Sequence, residues 1–356
     1  MEISKVREYL GEDWTAVQSL IAGALSSDIE LLNSVNASIL GNAGKQLRPM
    51  ISLLVARACL GAANSSECSD ALKNGEPSGA SEPGPGGEKS PMDIARRYAA
   101  AAELLHNATL LHDDVADDSD FRRGKPTVRS ILGPSSSVLV GDFWLVKAIG
   151  LILGEEGSQK CDERVVRLFS RTLSLLAEGE MLQLQKAQTA DTTYEDYLRI
   201  IYSKTASLFE AAAVSSALAV NAREEIVESV RNYAVYLGYA FQIKDDILDY
   251  CGTSSVGKPL GVDIAEQKIT LPLLGAMANA PAKESYLRSL IKGVVERPSN
   301  RDEILRLVVD NRGIEYSVKY LEAFVGKAVE ALSPLSPSRD RELLEALARF
   351  TAQRVV

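Results

Sequence analysis

Apolar side chains recur every three or four residues along most of the chain. The pattern is clearest over residues 161–187, where Val165 and Phe169 begin the series, and it returns over 227–251 and 314–332. This spacing places apolar groups on one face of an α-helix, whereas the alternation typical of strands is hard to find. The pattern therefore predicts an all-α protein of ten or more helices.

Several segments depart from this amphipathic pattern. Residues 207–221 are nearly apolar on all sides, which is typical of a central helix wrapped by others. Residues 61–92 hold six of the 25 glycines and four of the 13 prolines, which predicts a flexible insertion rich in Gly, Pro and Ser. The segment before it is too short for an independent core, so we predict a single domain over 1–356. Shorter loops are predicted at 251–263 and 296–302.

Composition and charge exclude several classes of protein. Of the 356 residues, 46% are apolar, which supplies a large core and excludes global disorder. The net charge of −9 argues against a nucleic-acid binder, because such proteins are usually basic. The four cysteines lack metal-ligand spacing, which indicates a reducing, cytoplasmic location and no zinc site.

Neither a secretion signal nor a transmembrane segment is predicted. The first residues lack the apolar stretch of a signal peptide. The longest apolar stretch, 138–153, is interrupted by Asp142 and Lys147, and it is shorter than the roughly 20 residues that a bilayer requires. We therefore expect this stretch to form a buried helix.

Two acidic motifs of the same form provide the candidate chemistry. Both read Asp-Asp-x-x-Asp after an apolar run, and they comprise Asp113, Asp114 and Asp117 and then Asp245, Asp246 and Asp249. On a helix the outer aspartates of each motif lie about 40° apart, where like charges repel. Hard oxygen ligands in this arrangement suit Mg²⁺, which completes its shell with water and substrate phosphates. A solvated acidic helix end is the alternative for one motif, and the second copy favours the metal.

Basic residues accompany both motifs. Lys45 and Arg48 precede the first, Arg122 and Arg123 follow it, and Lys258 and Lys268 follow the second. Arginine binds phosphate in a bidentate manner and lysine binds it as a point charge, so the combination predicts a diphosphate site. Taken alone, the arginine pair would equally suit a solvent-facing turn.

The two histidines of the chain flank the first motif. His106 lies seven residues before Asp113, nearly on the same helix face and about 10 Å away along the axis, which leaves room for a diphosphate. His112 points elsewhere, and we interpret it as structural.

Together these motifs resemble the trans-type polyprenyl diphosphate synthases, and the match covers nearly the whole chain apart from 61–92. It comprises Gly-Lys-x-x-Arg-Pro at 44–49, His-Asn-Ala-Thr-Leu-Leu-His-Asp-Asp-x-x-Asp at 106–117, Arg-Arg-Gly-Lys-Pro-Thr at 122–127, Lys-Thr at 204–205, Phe-Gln-x-x-Asp-Asp-x-x-Asp at 241–249 and Gly-Lys-Pro-Leu-Gly-x-Asp at 257–263. Gln46 stands where the family often has a basic residue, and Val262 where it often has Asn.

The resemblance implies the isoprenoid synthase fold, an orthogonal helix bundle around a deep central cavity, usually as a homodimer. The implied reaction adds isopentenyl diphosphate to an allylic diphosphate and gives an all-trans product. It further implies that the six motif aspartates hold three Mg²⁺ ions, that Arg122, Lys204, Thr205, Gln242, Lys258 and Lys268 contact the allylic substrate, and that Lys45, Arg48, His106 and Arg123 hold the isopentenyl diphosphate.

These implied roles agree with the chemistry of the reaction. Breaking the allylic C–O bond leaves negative charge on the diphosphate and positive charge on carbon, and metals and basic groups stabilise the former. Lys204 is the expected bridge to the diphosphate, and Thr205 and Gln242 offer oxygen dipoles to the cation. No nucleophilic side chain is needed, since the departed diphosphate can accept the final proton.

The residues before the first motif predict the product length. Thr109 and Ala108 stand four and five residues before Asp113, and a bulky side chain there would form a floor about 6–7.5 Å deeper. Both are small, so we predict a product longer than about 20 carbons, and about 30–50 by resemblance to quinone side-chain enzymes. The alternative is that another residue supplies the floor.

Three other functions stay open at this stage. A short-chain enzyme would make geranylgeranyl or farnesyl diphosphate. A non-catalytic subunit of a heteromeric synthase usually lacks one acidic motif, whereas both are intact here. A terpene cyclase would not need the isopentenyl site. Peripheral contact with a membrane during release of a lipid product is compatible with each prenyl synthase.

Overall fold

The structure is a computed structural model that describes residues 2–71, 90–154, 161–251 and 260–353, without the side chains of 62–71. The helices are α1 Ile3–Leu10, α2 Glu12–Ala24, α3 Glu30–Leu40, α4 Leu47–Ala71, α5 Pro91–Ala116, α6 Val128–Leu132, α7 Pro134–Leu153, α8 Glu163–Thr189, α9 Tyr194–Ile201, α10 Ser207–Ala219, α11 Glu224–Cys251, α12 Val262–Ala265, α13 Leu271–Asn279, α14 Glu284–Lys292, α15 Ser299–Asp310, α16 Gly313–Ala331 and α17 Arg339–Gln353. A π-helical turn, Tyr202–Ala206, joins α9 to α10, and a 3-10 turn, Pro281–Lys283, precedes α14. The prediction of an all-α protein is confirmed.

The only strands in the described part of the chain form one short hairpin. Phe121–Arg122 (β1) pairs antiparallel with Lys125–Pro126 (β2), and the register joins Arg122 to Lys125. This hairpin follows the first acidic motif directly. It therefore turns the Arg-Arg-Gly-Lys segment back toward the end of α5.

The described residues divide into two compact units by their internal contacts. The first comprises Met1–Phe169, Ala211–Val230 and Pro334–Leu344, and the second comprises Ser170–Glu210, Arg231–Ser333 and Glu345–Val356. Each unit contains one acidic motif. The prediction of a single domain over the whole chain stays a prediction.

The predicted insertion at 61–92 lies largely outside the described residues. Within them, the helix α4 continues to Ala71, and α5 already begins at Pro91, so both ends of the predicted segment are helical. The start of α5 has a local cause, because the Ser90 hydroxyl accepts from the Asp93 amide and Asp93 accepts from the Ser90 amide in a capping box.

The helix α5 carries the first motif through the interior of the first unit. Its middle turn consists of small residues, Ala99 to Ala102, and all of them are fully buried. Small side chains let neighbouring helices approach closely, and α5 packs against α4 and α7. The helix ends at Ala116, so the motif occupies its last turn.

The helix α7 is buried on one face only, which corrects the expectation of a buried helix at 138–153. Trp144 is fully buried, and its indole N–H donates to Asn36 Oδ1 at 2.8 Å. Leu139 and Val146 on another face are 68% and 63% exposed. By length and mean hydropathy, α7 is the one described helix that could cross a membrane, although the helices of soluble proteins pass the same test.

The segment 207–221, which was predicted to be a central helix surrounded by others, is buried along its helical part. Every residue of α10 is buried, and Ala211 to Ala213 have no exposed surface. The Ser52 hydroxyl of α4 donates to the carbonyl of Ala212 at 2.9 Å, which satisfies a polar group in this apolar environment.

The second unit has a core of its own around α13 and α16. Gly313 begins α16, and a Cβ at this position would lie 2.1 Å from the carbonyl oxygen of Pro272. Only glycine permits this close approach of the two helices. Leu271, Leu273 and Ile304 fill the adjacent core.

A buried carboxylate links three helices of the first unit. Asp13 on α2 is 6% exposed and accepts hydrogen bonds from Arg57 Nε on α4 at 2.6 Å and from Arg96 Nε on α5 at 2.7 Å. Two cations that face one buried anion make each partner depend on the others, because a lone buried charge is costly.

We expect Asp13→Ala to lower the free energy of unfolding by about 3 kcal/mol, because Arg57 and Arg96 would lose their common partner. Denaturant unfolding followed by circular dichroism measures this loss. Asp28→Ala removes an exposed carboxylate and is the matched control. Equal midpoints for the two variants would show that the Asp13 cluster contributes nothing to stability.

Candidate active site

The first acidic motif stands at the carboxyl end of α5. Asp113 is half-buried, Asp117 is exposed, and Asp114 is 4% exposed. Burial raises the pKa of Asp114, and the Arg122 guanidinium, which donates to its Oδ1 at 2.6 Å, opposes that rise. The carboxyl end of a helix carries partial negative charge, so three carboxylates there favour a bound cation.

A basic group surrounds the middle of α5 in the same unit. Arg48 is buried, and burial lowers its pKa to about 10. Arg123 Nη1 donates to the carbonyl of Asn42 at 2.8 Å, and its guanidinium lies against Gly44, where a Cβ would come within 2.5 Å. Gly44 has φ +66°, so its backbone conformation favours glycine, and a Cβ there would displace the Arg123 guanidinium.

Three of the four residues predicted to bind isopentenyl diphosphate, namely Arg48, His106 and Arg123, interact with one another in this unit. Burial lowers the pKa of His106 well below its usual value, and the positive charges of Arg48 and Arg123 lower it further. Lys45 belongs to the same loop as Gly44, and its carbonyl accepts from Arg7 Nη2 at 3.0 Å. At neutral pH His106 is therefore an uncharged hydrogen-bond donor and acceptor beside cationic groups.

Sequence reasoning missed Glu103, a buried carboxylate that lies among these basic side chains. It is 3% exposed, and the Asn107 amide donates to its Oε1 at 3.2 Å. Burial raises the pKa of Glu103, whereas the charges of Arg48 and Arg123 lower it. The signal was a single glutamate one turn before His106 in a run of Ala and Leu, where a charged residue needs a partner.

The second motif stands at the end of α11 and is fixed by a chain of hydrogen bonds. Thr205 Oγ1 donates to Gln242 Oε1 at 2.8 Å, Gln242 Nε2 donates to Asp246 Oδ1 at 3.0 Å, and the Tyr197 hydroxyl donates to Asp246 Oδ2 at 2.6 Å. Tyr197 was not predicted as a site residue. A polar aromatic on an amphipathic helix gives no sequence signal that separates it from ordinary core packing.

The charge of Asp246 is finely balanced. Burial raises its pKa to about 7, and the neighbouring charges of Asp245 and Asp249 add to the rise. The hydrogen bonds from Tyr197 and Gln242 oppose it, because they stabilise the carboxylate. A bound cation would also lower the pKa of Asp246, because it stabilises the carboxylate. The donor set therefore fits a divalent metal.

Asp249 holds the chain that follows the second motif. Its carboxylate accepts from the backbone amides of Val262 at 3.0 Å and Asp263 at 3.1 Å. The hydrogen bond at Val262 is made by the backbone amide. The presence of Val262 where the family often has Asn therefore leaves this bond intact. Lys258 lies outside the described residues.

A cavity of 170 Å³ in the second unit brings together three of the six residues predicted to contact the allylic substrate, namely Lys204, Gln242 and Lys268, and its lining also includes Asp246. Arg122 and Thr205 do not line this cavity. Lys204 Nζ forms an ion pair with Glu180 of α8, and Lys268 Nζ lies 2.5 Å from Glu266. Both lysines are therefore paired with carboxylates of the chain itself.

The two predicted floor residues differ in burial. Ala108 is 1% exposed, whereas Thr109 is half-buried and donates its hydroxyl to the carbonyl of His106 at 2.8 Å. Thr109 is therefore less tightly enclosed than Ala108.

In the described ranges, no three His, Cys, Asp or Glu side chains converge closely enough to hold a metal ion by themselves. Mg²⁺ takes few protein ligands and obtains the others from water and substrate phosphates. Fold and site together define an all-α protein that has two acidic helix ends with basic side chains nearby, a set of groups of the kind that suits a metal-bound diphosphate.

Comparisons with known proteins agree with this class. The sequence profile of the family described as Polyprenyl synthetase matches residues 29–309, and the chain belongs to this family. It is 35% identical to an octaprenyl diphosphate synthase of Escherichia coli (strain K12), over 99% of both chains. It is 34% identical to an all-trans-nonaprenyl-diphosphate synthase (geranyl-diphosphate specific) of Rhodobacter capsulatus, over 97% of this chain and 96% of that one.

Solved structures confirm the predicted isoprenoid synthase fold. A polyprenyl synthase from Caulobacter crescentus, complexed with calcium and isoprenyl diphosphate, superposes with a TM-score of 0.83 at 30% identity, over 100% of this chain and 98% of that one. A decaprenyl diphosphate synthase from Rhodobacter capsulatus gives a TM-score of 0.82 at 32% identity and full coverage of both chains.

The low pKa of His106 can be tested by NMR, because the chain has only two histidines. We expect the ring of His106 to stay neutral well below pH 6.5, since burial and three nearby arginines oppose its protonation. Arg48→Gln removes one cation, so the pKa should rise toward its usual value. A His112→Asn sample assigns the signals. Titration of His106 at or above pH 6.5 would contradict this electrostatic picture.

Proposed function

We propose that the protein is a prenyltransferase that adds isopentenyl diphosphate to an allylic diphosphate and releases a medium- or long-chain all-trans polyprenyl diphosphate. The observation that carries the proposal is the repeated acidic motif at the carboxyl ends of two helices, each next to basic side chains. The full-length relatives named octaprenyl and nonaprenyl synthases support the chain length. They do not favour the short-chain alternative.

Magnesium is the metal that this donor set fits best. The aspartates of each motif would hold Mg²⁺ ions, which would supply Lewis-acid neutralisation of the charge that develops on the leaving diphosphate. The protein contributes the carboxylates and their orientation. Tyr197 and Gln242 fix the two oxygens of Asp246, and Arg122 fixes Asp114.

The basic group of the first unit is suited to bind the isopentenyl diphosphate. Arg48 and Arg123 supply bidentate donors, and Lys45 supplies a point charge. The neutral His106 ring can donate one hydrogen bond without adding repulsion between cations. Glu103 neutralises the two arginines while the substrate is absent and keeps them in place.

The allylic diphosphate would draw Lys204 away from Glu180 toward its own oxygens. The Thr205 hydroxyl donates a hydrogen bond to Gln242, so the lone pairs of its oxygen can face an allylic cation. The Gln242 oxygen is engaged by that hydroxyl, so its main role is to hold Asp246. The departed diphosphate accepts the proton that the new carbon chain loses.

Thr109 is the better probe of product length, because it is less buried than Ala108. We expect Thr109→Phe to shorten the product by at least one isoprene unit, since a ring there would form a floor about one helical turn below Asp113. Ala108→Phe should act in the same direction but with a larger loss of stability, because its site is fully packed. Thin-layer chromatography of the hydrolysed products separates the lengths. An unchanged product distribution for Thr109→Phe would remove this assignment.

Removal of the metal should abolish turnover. We expect EDTA to stop diphosphate release and Mg²⁺ to restore it, because the acidic motifs cannot neutralise a leaving diphosphate on their own. Tyr197→Phe should raise the Mg²⁺ concentration needed for half-maximal rate about tenfold, since Asp246 loses an orienting hydrogen bond. Tyr286→Phe, which removes an exposed hydroxyl bonded to Glu303, is the control. Turnover that persists in EDTA would refute the metal-assisted mechanism.

We also propose a homodimer. The exposed apolar side chains of α7, among them Leu139, Val146 and Leu153, form a face that a second copy would cover. Size-exclusion chromatography with light scattering gives the mass directly, and a monomer at micromolar concentration would contradict this proposal. A cytoplasmic location and peripheral membrane contact stay predictions.

A further inference from the structure

A π-helical turn interrupts the long helical run from α9 to α10. It spans Tyr202–Ala206 and contains Lys204 and Thr205. A π-turn inserts one extra residue into the α-helical hydrogen-bond ladder and is frequently found at functional sites. Helical periodicity in the sequence gives no sign of it, because one inserted residue is within the variation of an amphipathic pattern.

One side-chain contact is favoured by the π form. The Tyr202 hydroxyl donates to Glu210 Oε2 at 2.8 Å. In a continuous α-helix, residues eight apart lie about 80° apart around the axis. The extra residue of a π-turn removes about 100° of rotation, which places Tyr202 and Glu210 on nearly the same face.

The acceptor of this bond is itself fixed by an ion pair. Glu210 is 5% exposed, and Arg231 of α11 forms an ion pair with its Oε1. Each carboxylate oxygen therefore has a different partner. Burial raises the pKa of Tyr202 to about 12, and the bond to Glu210 adds to the rise, so the hydroxyl keeps its proton and remains the donor.

Two glycines make room for the turn. A Cβ on Gly238 of α11 would lie 2.4 Å from the Cα of Ala206, and a Cβ on Gly179 of α8 would lie 2.6 Å from the Cβ of Ser203. The neighbouring helices thus approach the turn at the positions where they lack side chains.

We propose that Glu210, through Tyr202 and Arg231, is a positioning residue that keeps this turn in its π form and so directs Lys204 and Thr205 into the site. The inference rests on the proposed function, which gives both residues a role at the allylic diphosphate. A return to the α form would rotate one flank by about 100° relative to the other. Thr205 and the α9 residue Tyr197 could not then serve Gln242 and Asp246 together.

The conservative test is Tyr202→Phe, which removes one hydroxyl and keeps the ring. We expect kcat for prenyl transfer to fall about tenfold, because the transition-state contacts of Lys204 and Thr205 are displaced. KM for isopentenyl diphosphate should not change, since Arg48 and its neighbours belong to another part of the chain. Amide hydrogen exchange over 203–207 should accelerate about tenfold, as the local structure opens more easily.

Tyr239→Phe is the matched control. The Tyr239 ring lies 6.4 Å from that of Tyr202, and its hydroxyl makes no hydrogen bond to Glu210 in the described contacts. We expect wild-type kcat and exchange. A second variant, Glu210→Gln, keeps an acceptor for Tyr202 but loses the charge that Arg231 pairs with, so its effect should lie between those of the control and Tyr202→Phe.

A double-mutant cycle separates positioning from a general loss of stability. The effect of Tyr202→Phe on kcat should shrink when Thr205 is already Ala, because both changes remove the same contribution. Full additivity, or unchanged kcat and exchange in Tyr202→Phe, would overturn the inference. A wild-type enzyme without prenyl transfer activity would instead refute the proposed function, and the exchange experiment would still test the turn.

Discussion

The arrangement of the site depends on the repulsion between carboxylates at the carboxyl ends of two helices. The carboxyl ends of α5 and α11 each carry three aspartates, where the helix itself contributes partial negative charge. Neither helix end gains stability from this composition. In the proposed function, cations and a diphosphate would neutralise the aspartates, so the local instability of these helix ends would favour their binding.

The same logic explains the partners that the chain provides for its cations. Glu103 lies near Arg48 and Arg123, and Glu180 pairs with Lys204. These glutamates compensate the charge of the described basic side chains near them. In the proposed function, a substrate diphosphate would replace one anion by another, which would limit the net charge that must be desolvated.

The sequence was sufficient for the helices and the chemistry, and insufficient for the contacts that hold the chemistry in place. Periodicity predicted α8, α11 and α16 to within a few residues, since each buries a continuous apolar face. It did not reveal the exposed face of α7, because exposed and buried apolar positions look the same in a sequence. Tyr197 and the π-turn were missed for a related reason, as their roles depend on which side chains meet across helices.

Stability and activity place opposite demands on these interior polar groups. Asp246 and Glu210 are buried carboxylates, and apolar residues of similar size would pack at no electrostatic cost. Their hydrogen bonds instead define one arrangement, since Asp246 orders Tyr197 and Gln242 and Glu210 orders Tyr202. Precise placement matters most where a cation and a leaving diphosphate must be kept apart from water and from nucleophiles. The protein therefore retains costly polar groups at the positions that orient the reacting centre, and it uses small apolar residues, as in α5 and α10, where only close packing is required.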